Sequence, residues 1–108
     1  MREIIFRGKR KFKGDWVYGD LLNENYGLVI QYMRKNHDGT EQRVKSTVNP
    51  NTVGQFTGLL DSNGQRIFEG DIVQTETNMG QEVIFWGGGF RLKNGDTISG
   101  CVVIGDSF

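Results

Sequence analysis

The chain has 108 residues and no net charge, with 13 Lys and Arg against 13 Asp and Glu. Its length suits one domain, and 16 glycines beside a single proline exclude a proline-rich disordered segment and favour many tight turns. No run approaches the roughly 18–20 apolar residues that a membrane-spanning helix needs, so a membrane partner is not expected.

The N-terminal part of the chain is predicted to form short strands joined by turns. Aromatic and apolar residues mark the first three segments, and a more polar fourth segment can pair back on the third. Turn residues such as Gly14, Asp15 and Gly39 separate them. The predicted strands are residues 4–7, 16–21, 28–33 and 40–45. The last two form a hairpin, with residues 40–45 as its more polar and exposed strand.

Pro50 marks a boundary in the middle of the chain. It fixes its own φ and biases Asn49 away from the helical region, so residues 48–52 are predicted to be a turn. Within a single domain of residues 1–108, this suggests a division into N-terminal hairpins at 1–48 and a second part at 49–108. Further strands are predicted at 53–60, 67–68, 72–73, 82–86, 90–93 and 101–104. Apolar residues nowhere show the periodicity of a helix.

The most informative segment is residues 53–73, VGQFTGLLDSNGQRIFEGDIV. Asn63 and Gly64 tolerate the positive φ of a tight hairpin turn. Gly70 permits a left-handed or bulged turn, and the Asp71 carboxylate can accept hydrogen bonds from nearby backbone N–H groups. A strand, a Gly-Asp turn and another strand recur in SH3-like barrels. The predicted fold is therefore all-β, of short antiparallel strands, with a small SH3-like barrel after Pro50 and the N-terminal hairpins packed on it or projecting from it.

Three segments carry a family resemblance: REIIFRGKR, GDWVYGDL and TVGQFTGLLDSNGQRIFEGDIV. They resemble the YopX family of phage and prophage proteins, and the resemblance covers nearly the whole chain. It implies a cytoplasmic accessory protein, oligomeric in one reading, with no established enzymatic activity and no agreed active-site residues. Chains of that family commonly continue with a polar tail containing an Asn-Pro-Glu-Leu-like segment, whereas this sequence stops at Phe108. The strand that ends near Ile104 is therefore expected to keep an uncovered edge.

The segment from Arg7 to Trp16 holds the most function-like residues. Cations neutralise phosphates and aromatic rings stack on bases, so this segment is a candidate site for nucleic acid or another partner. The candidate binding residues are Arg7, Lys9, Arg10, Lys11, Lys13 and Trp16. The alternative is a solvated hairpin loop flanked by core aromatic residues, and the neutral overall charge weighs against nucleic acid.

The other candidates do not form a catalytic, cofactor-binding or metal-binding constellation. Residues 87–89 are all glycine but lack the Lys-Ser/Thr pair and the helix of a phosphate loop, so they are predicted to be a plain turn that reverses the chain. His37 is expected in an exposed turn without partner ligands. Cys101 is the only cysteine, so an intramolecular disulfide is excluded and a reducing cytoplasm suits the chain. Its thiol is expected to be buried in a strand. Glu69 and Asp71 are interpreted as turn residues.

Charge and aromatic content favour contacts with other macromolecules. Residues 1–45 carry ten basic against six acidic side chains and residues 46–108 three against seven, which favours self-association. Six aromatic residues exceed what one face of a small sheet must bury: Trp16, Tyr18, Tyr26, Tyr32, Phe85 and Trp86. The predicted function is that of a non-enzymatic cytoplasmic accessory protein that acts through protein contacts, as a homo-oligomer or on a host protein. Nucleic-acid binding by the basic loop is the alternative, and no cofactor is expected.

Overall fold

The computed structural model describes residues 3–108, which form ten β-strands and no α-helix. A single 3-10 turn, Pro50–Thr52, lies where Pro50 predicts a turn. The strands are β1 (Phe6–Lys9), β2 (Trp16–Glu24), β3 (Gly27–Lys35), β4 (Glu41–Thr47), β5 (Gly54–Leu60), β6 (Arg66–Phe68), β7 (Asp71–Gln74), β8 (Gln81–Trp86), β9 (Gly89–Leu92) and β10 (Val102–Asp106). The all-β class with short antiparallel strands is confirmed. Within this part of the chain, no helix is long and apolar enough to cross a bilayer.

The chain divides into two compact units. The first unit is Ile4–Gly54, and the second is Gln55–Phe108 together with Glu3. The division falls after Gly54, whereas Pro50 and its neighbours suggest one after residue 48.

The first unit is an antiparallel sheet in the order β4-β3-β2-β1. Its long central strands are paired through residues 20–24 of β2 and 27–31 of β3, and β3 continues against β4 up to the pair Lys35 and Glu41. Val17, Ile30 and Val48 are buried together in the core of this unit. Along β2, neighbouring residues point to opposite faces of the sheet. The tyrosine beside Val17, Tyr18, is accordingly 46% exposed on the other face.

Strand β2 changes partner at Gly19. Up to Gly19 it pairs with β1, and from Asp20 onward it pairs with β3. A Cβ built on Gly19 would lie 2.1 Å from the carbonyl oxygen of Gln31 in β3. Only glycine allows the two backbones to approach this closely.

The second unit contains the β5–β6 hairpin and a four-stranded antiparallel sheet in the order β10-β7-β8-β9. Its core contains buried apolar residues and one thiol, namely Ile67, Val73, Val83, Leu92, Ile98 and Cys101. Strands β9 and β10 are the two edges of this sheet, which does not close on itself. The SH3-like barrel expected after Pro50 is therefore not confirmed.

Asp61 organises the turn between β5 and β6 and fastens it to β10. Its Oδ1 accepts hydrogen bonds from the backbone N–H groups of Asn63 and Gln65 at 2.9 and 2.8 Å, and Gly64 has the left-handed φ of 81°. Its Oδ2 accepts one from the N–H of Val103 at 3.0 Å. This bond covers part of the β10 edge that was expected to be uncovered.

The Gly70-Asp71 turn has the geometry that these residue types permit. Gly70 has a φ of 93°. Asp71 is buried, and its Oδ2 accepts a hydrogen bond from the N–H of Phe68 at 2.7 Å. The carboxylate therefore satisfies a buried backbone donor where β6 gives way to β7.

Candidate binding surfaces

The basic loop, residues 10–15, is held in one conformation by backbone hydrogen bonds. The N–H of Arg10 donates to the carbonyl of Asp15 at 2.9 Å, and that of Gly14 donates to the carbonyl of Arg10 at 2.8 Å. The N–H of Lys11 donates to the carbonyl of Thr47 at 3.0 Å, and Arg10 forms a bridge with Val48. The loop is thus fastened to the end of β4.

Two of the six candidate binding residues lie inward of this loop. Arg7 is only 5% exposed, and its guanidinium lies over the ring of Trp16 at 4.2 Å. Lys9 stands opposite Trp16 in the strand pair, with its Nζ 5.2 Å from the same ring centre. These are cation–π contacts, which stabilise the pairing of β1 and β2. The Arg7 guanidinium is consequently not displayed on the surface.

The other three cations lie in the loop and differ in their surroundings. Arg10 forms a bidentate ion pair with Asp15, in which its Nε and Nη2 donate to Oδ1 and Oδ2 at 2.7 and 2.8 Å. This pair lowers the pKa of the Asp15 carboxyl. Lys11 and Lys13 are exposed and form no ion pair with any residue from 3 to 108. Between them Phe12 is 94% exposed.

A cleft of about 210 Å³ lies beside the basic loop. Its lining combines cations, one aromatic ring and two hydroxyl groups, from Arg10, Lys11, Phe12, Lys13, Ser46 and Thr47. Ser46 and Thr47 come from β4 and could not be placed beside the loop from the sequence. We call this site the loop cleft.

The β8–β9 hairpin forms the second candidate surface. Gly87 and Gly88 have φ values of 62° and 85°, as a two-residue hairpin turn with positive φ at both positions requires. No helix follows, so the three glycines reverse the chain, as the sequence predicts. At the tip Phe85 is 56% exposed and packs edge to face on Phe90, with ring centres 5.1 Å apart.

The opposite face of this hairpin carries a groove of about 250 Å³. Residues alternate along β8, so Val83 is buried while Ile84 and Trp86 point the other way. Trp86 is 65% exposed, and Arg91 stands directly opposite Ile84 in the strand pair. Ile84, Trp86, Arg91 and Lys93 all line the groove, which we call the Trp86 groove. Trp86 is among the candidate exposed aromatic residues of the sequence. The cations beside it could not be placed there, because their position depends on the register between β8 and β9.

A polar cleft of about 370 Å³ lies elsewhere in the second unit. Its lining includes Thr75, Asn78, Asp96 and Ser99. Asp96 is the carboxylate of this cleft, and its Oδ2 accepts hydrogen bonds from the amides of Asn78 and Asn94, both at 3.1 Å. Within residues 3–108, no three His, Cys, Asp or Glu side chains come together as metal ligands.

His37 and Cys101 occupy contrasting environments. His37 is exposed in the turn between β3 and β4. Cys101 is 1% exposed in the core of the second unit. Burial, with a smaller contribution from the charge of Asp61, raises the pKa of the Cys101 thiol.

We expect Cys101 to react very slowly with Ellman's reagent in the native protein and completely after denaturation. The thiolate is the reactive form, and burial both disfavours it and blocks access. The measurement is the release of thionitrobenzoate at pH 8 with and without guanidinium chloride. Rapid stoichiometric release from the native protein would contradict the buried position.

Comparisons with known proteins connect the chain to a family and to a fold. The sequence model of the family described as YopX protein matches residues 5–103. No curated protein matches the chain significantly. Among solved structures, that of protein EF1440 from Enterococcus faecalis matches with a TM-score of 0.62 and 19% sequence identity, over 98% of this chain and 94% of that one. At this identity the similarity concerns the fold alone.

Proposed function

The chain belongs to the YopX family, and we propose that it is a non-enzymatic phage or prophage accessory protein that acts in the host cytoplasm through contacts with another protein. The contact surface in this proposal is the Trp86 groove. The partner is a second copy of the chain or a host protein. The single observation that carries the proposal is that Trp86, 65% exposed, lies in a concave surface beside Arg91 and Lys93, which form no ion pair with any residue from 3 to 108.

The composition of the groove supports a protein partner. Tryptophan and arginine are enriched among the residues that contribute most to protein–protein binding, particularly where they line pockets. The second unit carries three Lys and Arg against seven Asp and Glu within residues 55–108. Of the three cations in this range, Arg66 forms an ion pair with Glu3. The other two, Arg91 and Lys93, line the groove. A partner with an apolar side chain and acidic neighbours would match this arrangement.

We expect Trp86→Ala to weaken the protein contact at least about 30-fold, as loss of a central tryptophan commonly does. Self-association is measured by sedimentation equilibrium. Host contacts are measured by capture from nuclease-treated lysate of the bacterial host, followed by native mass spectrometry to establish stoichiometry. The expected result is a stoichiometric complex that Trp86→Ala abolishes.

Tyr26→Ala is the matched control because Tyr26 is also 65% exposed but lies in the first unit. This variant should leave the complex intact. A monomeric protein that holds no stoichiometric partner would contradict the proposal, as would a complex that is equally weakened by both variants.

A further inference from the structure

A different surface, the loop cleft of the first unit, leads to a separate inference. We infer that the loop cleft binds single-stranded nucleic acid, with the ring of Phe12 stacked on a base and Lys11 and Lys13 neutralising the neighbouring phosphates. This inference does not depend on the Trp86 groove, which lies in the other unit.

The charge of the first unit favours a polyanion. Residues 4–54 carry nine Lys and Arg against five Asp and Glu, a net charge of +4, although the whole chain is neutral. The cations available for phosphates are Lys11 and Lys13, since Arg10 is engaged by Asp15 and Arg7 is buried on Trp16. Two lysines flanking one aromatic residue combine the positive charge and the stacking surface that single-strand binding uses.

Phe12 points to a ligand with a flat apolar face. At 94% exposure it is the most exposed large apolar side chain among residues 3–108. Phe12 does not belong to the hydrophobic core of its unit, so the fold of that unit does not depend on its ring. A ring held in water on an ordered loop can stack on any base that is offered to it, and stacking tolerates every sequence.

The loop cleft is formed before any ligand arrives. The hydrogen bonds of the loop to itself and to Thr47 fix the backbone that carries Phe12, so little loop entropy is lost on binding. Ser46 and Thr47 line the same cleft. The Ser46 hydroxyl shares a hydrogen bond of 3.0 Å with the Tyr32 hydroxyl, so the Thr47 hydroxyl is the one that can donate to phosphate or sugar oxygens.

The same features favour a single strand over a duplex. In a duplex the base faces are stacked on each other, so the Phe12 ring would have no base to contact. Only the lysines would then contribute, through a non-specific contact with the backbone. The difference in affinity between a single strand and a duplex therefore tests the role of Phe12.

The test is fluorescence anisotropy with a labelled 12-nucleotide oligo(dT), with oligo(U) and a 12-base-pair duplex as further probes. We expect both single strands to bind within several-fold of each other and the duplex to bind at least about ten-fold more weakly. The logarithm of the binding constant should fall with the logarithm of the salt concentration with a slope near −1.4, about −0.7 for each of two neutralised phosphates.

Two variants separate stacking from charge. Phe12→Ala should weaken single-strand binding by about 5-fold to 100-fold and leave the salt slope unchanged. The double variant Lys11→Gln, Lys13→Gln should weaken binding and bring the slope close to zero. The matched control is Lys35→Gln with Arg43→Gln, which removes the same charge from exposed positions on β3 and β4 of the same unit. Binding should change by less than about 3-fold in this control.

The inference is overturned if oligo(dT) fails to bind at low salt. It is also overturned if the duplex binds as tightly as the single strands, or if the control variant loses as much affinity as the loop variants. Because Phe12, Lys11 and Lys13 are exposed, their substitution should leave the fold intact. Thermal unfolding of each variant checks this. Trp86→Ala should not affect oligonucleotide binding, so failure of this inference and failure of the protein-contact proposal are distinguishable.

Discussion

Gly19→Ala should destabilise the first unit by about 1–3 kcal/mol or more, because the new methyl group would collide with the backbone of β3. The obstructing atom is the carbonyl oxygen of Gln31, 2.1 Å from the position of the Cβ, and no side-chain rotation can move it away. The pairing of β2 with β3 beyond Asp20 must shift to make room. For a unit of this size, the expected fall in Tm is roughly 4–8 °C for each kcal/mol.

The unfolding of the two units can be followed separately, because each contains one tryptophan, Trp16 in the first and Trp86 in the second. In a Trp86→Phe background, urea unfolding followed by fluorescence reports on the first unit alone. The matched control is Gly89→Ala in the second unit, whose unfolding is followed through Trp86 in a Trp16→Phe background. Gly89 also lies in a strand but has open space around its Cβ position and no positive φ. Equal stability of the two alanine variants would refute the close approach of β2 and β3.

Asp61→Asn should lower the Tm of the second unit by about 5–10 °C and specifically expose the N–H of Val103. The asparagine oxygen can still accept hydrogen bonds from Asn63 and Gln65, but its amide nitrogen cannot accept one from Val103. A partly buried donor left without an acceptor is costly. Hydrogen exchange by NMR should show loss of protection at Val103 before Asn63 and Gln65.

The same carboxylate should make the second unit sensitive to acid. Hydrogen bonds from the N–H groups of Val103, Gln65 and Asn63 lower the pKa of Asp61, with Val103 making the largest contribution. The stabilisation is therefore fully present above the unfolded pKa of about 3.9 and is lost as the pH falls through the lower folded pKa. Wild-type Tm should decline over this range, whereas the Tm of Asp61→Asn should decline less.

Asp38→Asn provides the control for the Asp61 prediction. Asp38 also accepts hydrogen bonds from a turn, at the N–H and hydroxyl of Thr40, but it is exposed at the tip of the β3–β4 hairpin. Its substitution should change the Tm by no more than about 2 °C. If Asp38→Asn and Asp61→Asn were equally destabilising, the anchoring of Asp61 to β10 would not explain the effect.

Most strands could be predicted from the sequence because their signals are local. The turn residues Asn63, Gly64 and Gly70 lie where the chain reverses. Residue alternation puts Val17 and Tyr18 on opposite faces of a strand, and the structure shows Val17 buried and Tyr18 exposed. Strand ends differed by a few residues. Residues 4–7 were predicted for the first strand, which instead spans Phe6–Lys9, since pairing with β2 decides where a strand ends.

The candidate site could be predicted only in part. The five cations from Arg7 to Lys13 look alike in the sequence, but their surroundings in the structure differ. Arg7 and Lys9 both lie over the Trp16 ring, Arg10 pairs with Asp15, and the two loop lysines are exposed. These differences depend on which residue faces each cation across the strand pair or the loop. The Trp86 groove likewise requires Arg91 to stand opposite Ile84, and this register is not visible in either segment alone.

The sequence by itself determined the all-β class, the positions of the turns and the excess of aromatic and basic residues, because hydrophobic periodicity and turn chemistry act between near neighbours. Only the tertiary structure decided that the sheet of the second unit remains open, that Gly19 must be glycine and that Asp61 joins the β5–β6 turn to β10. Each of these depends on contacts between residues far apart in the chain. The sequence of one segment does not indicate which backbone group of a distant segment will contact it in the folded protein.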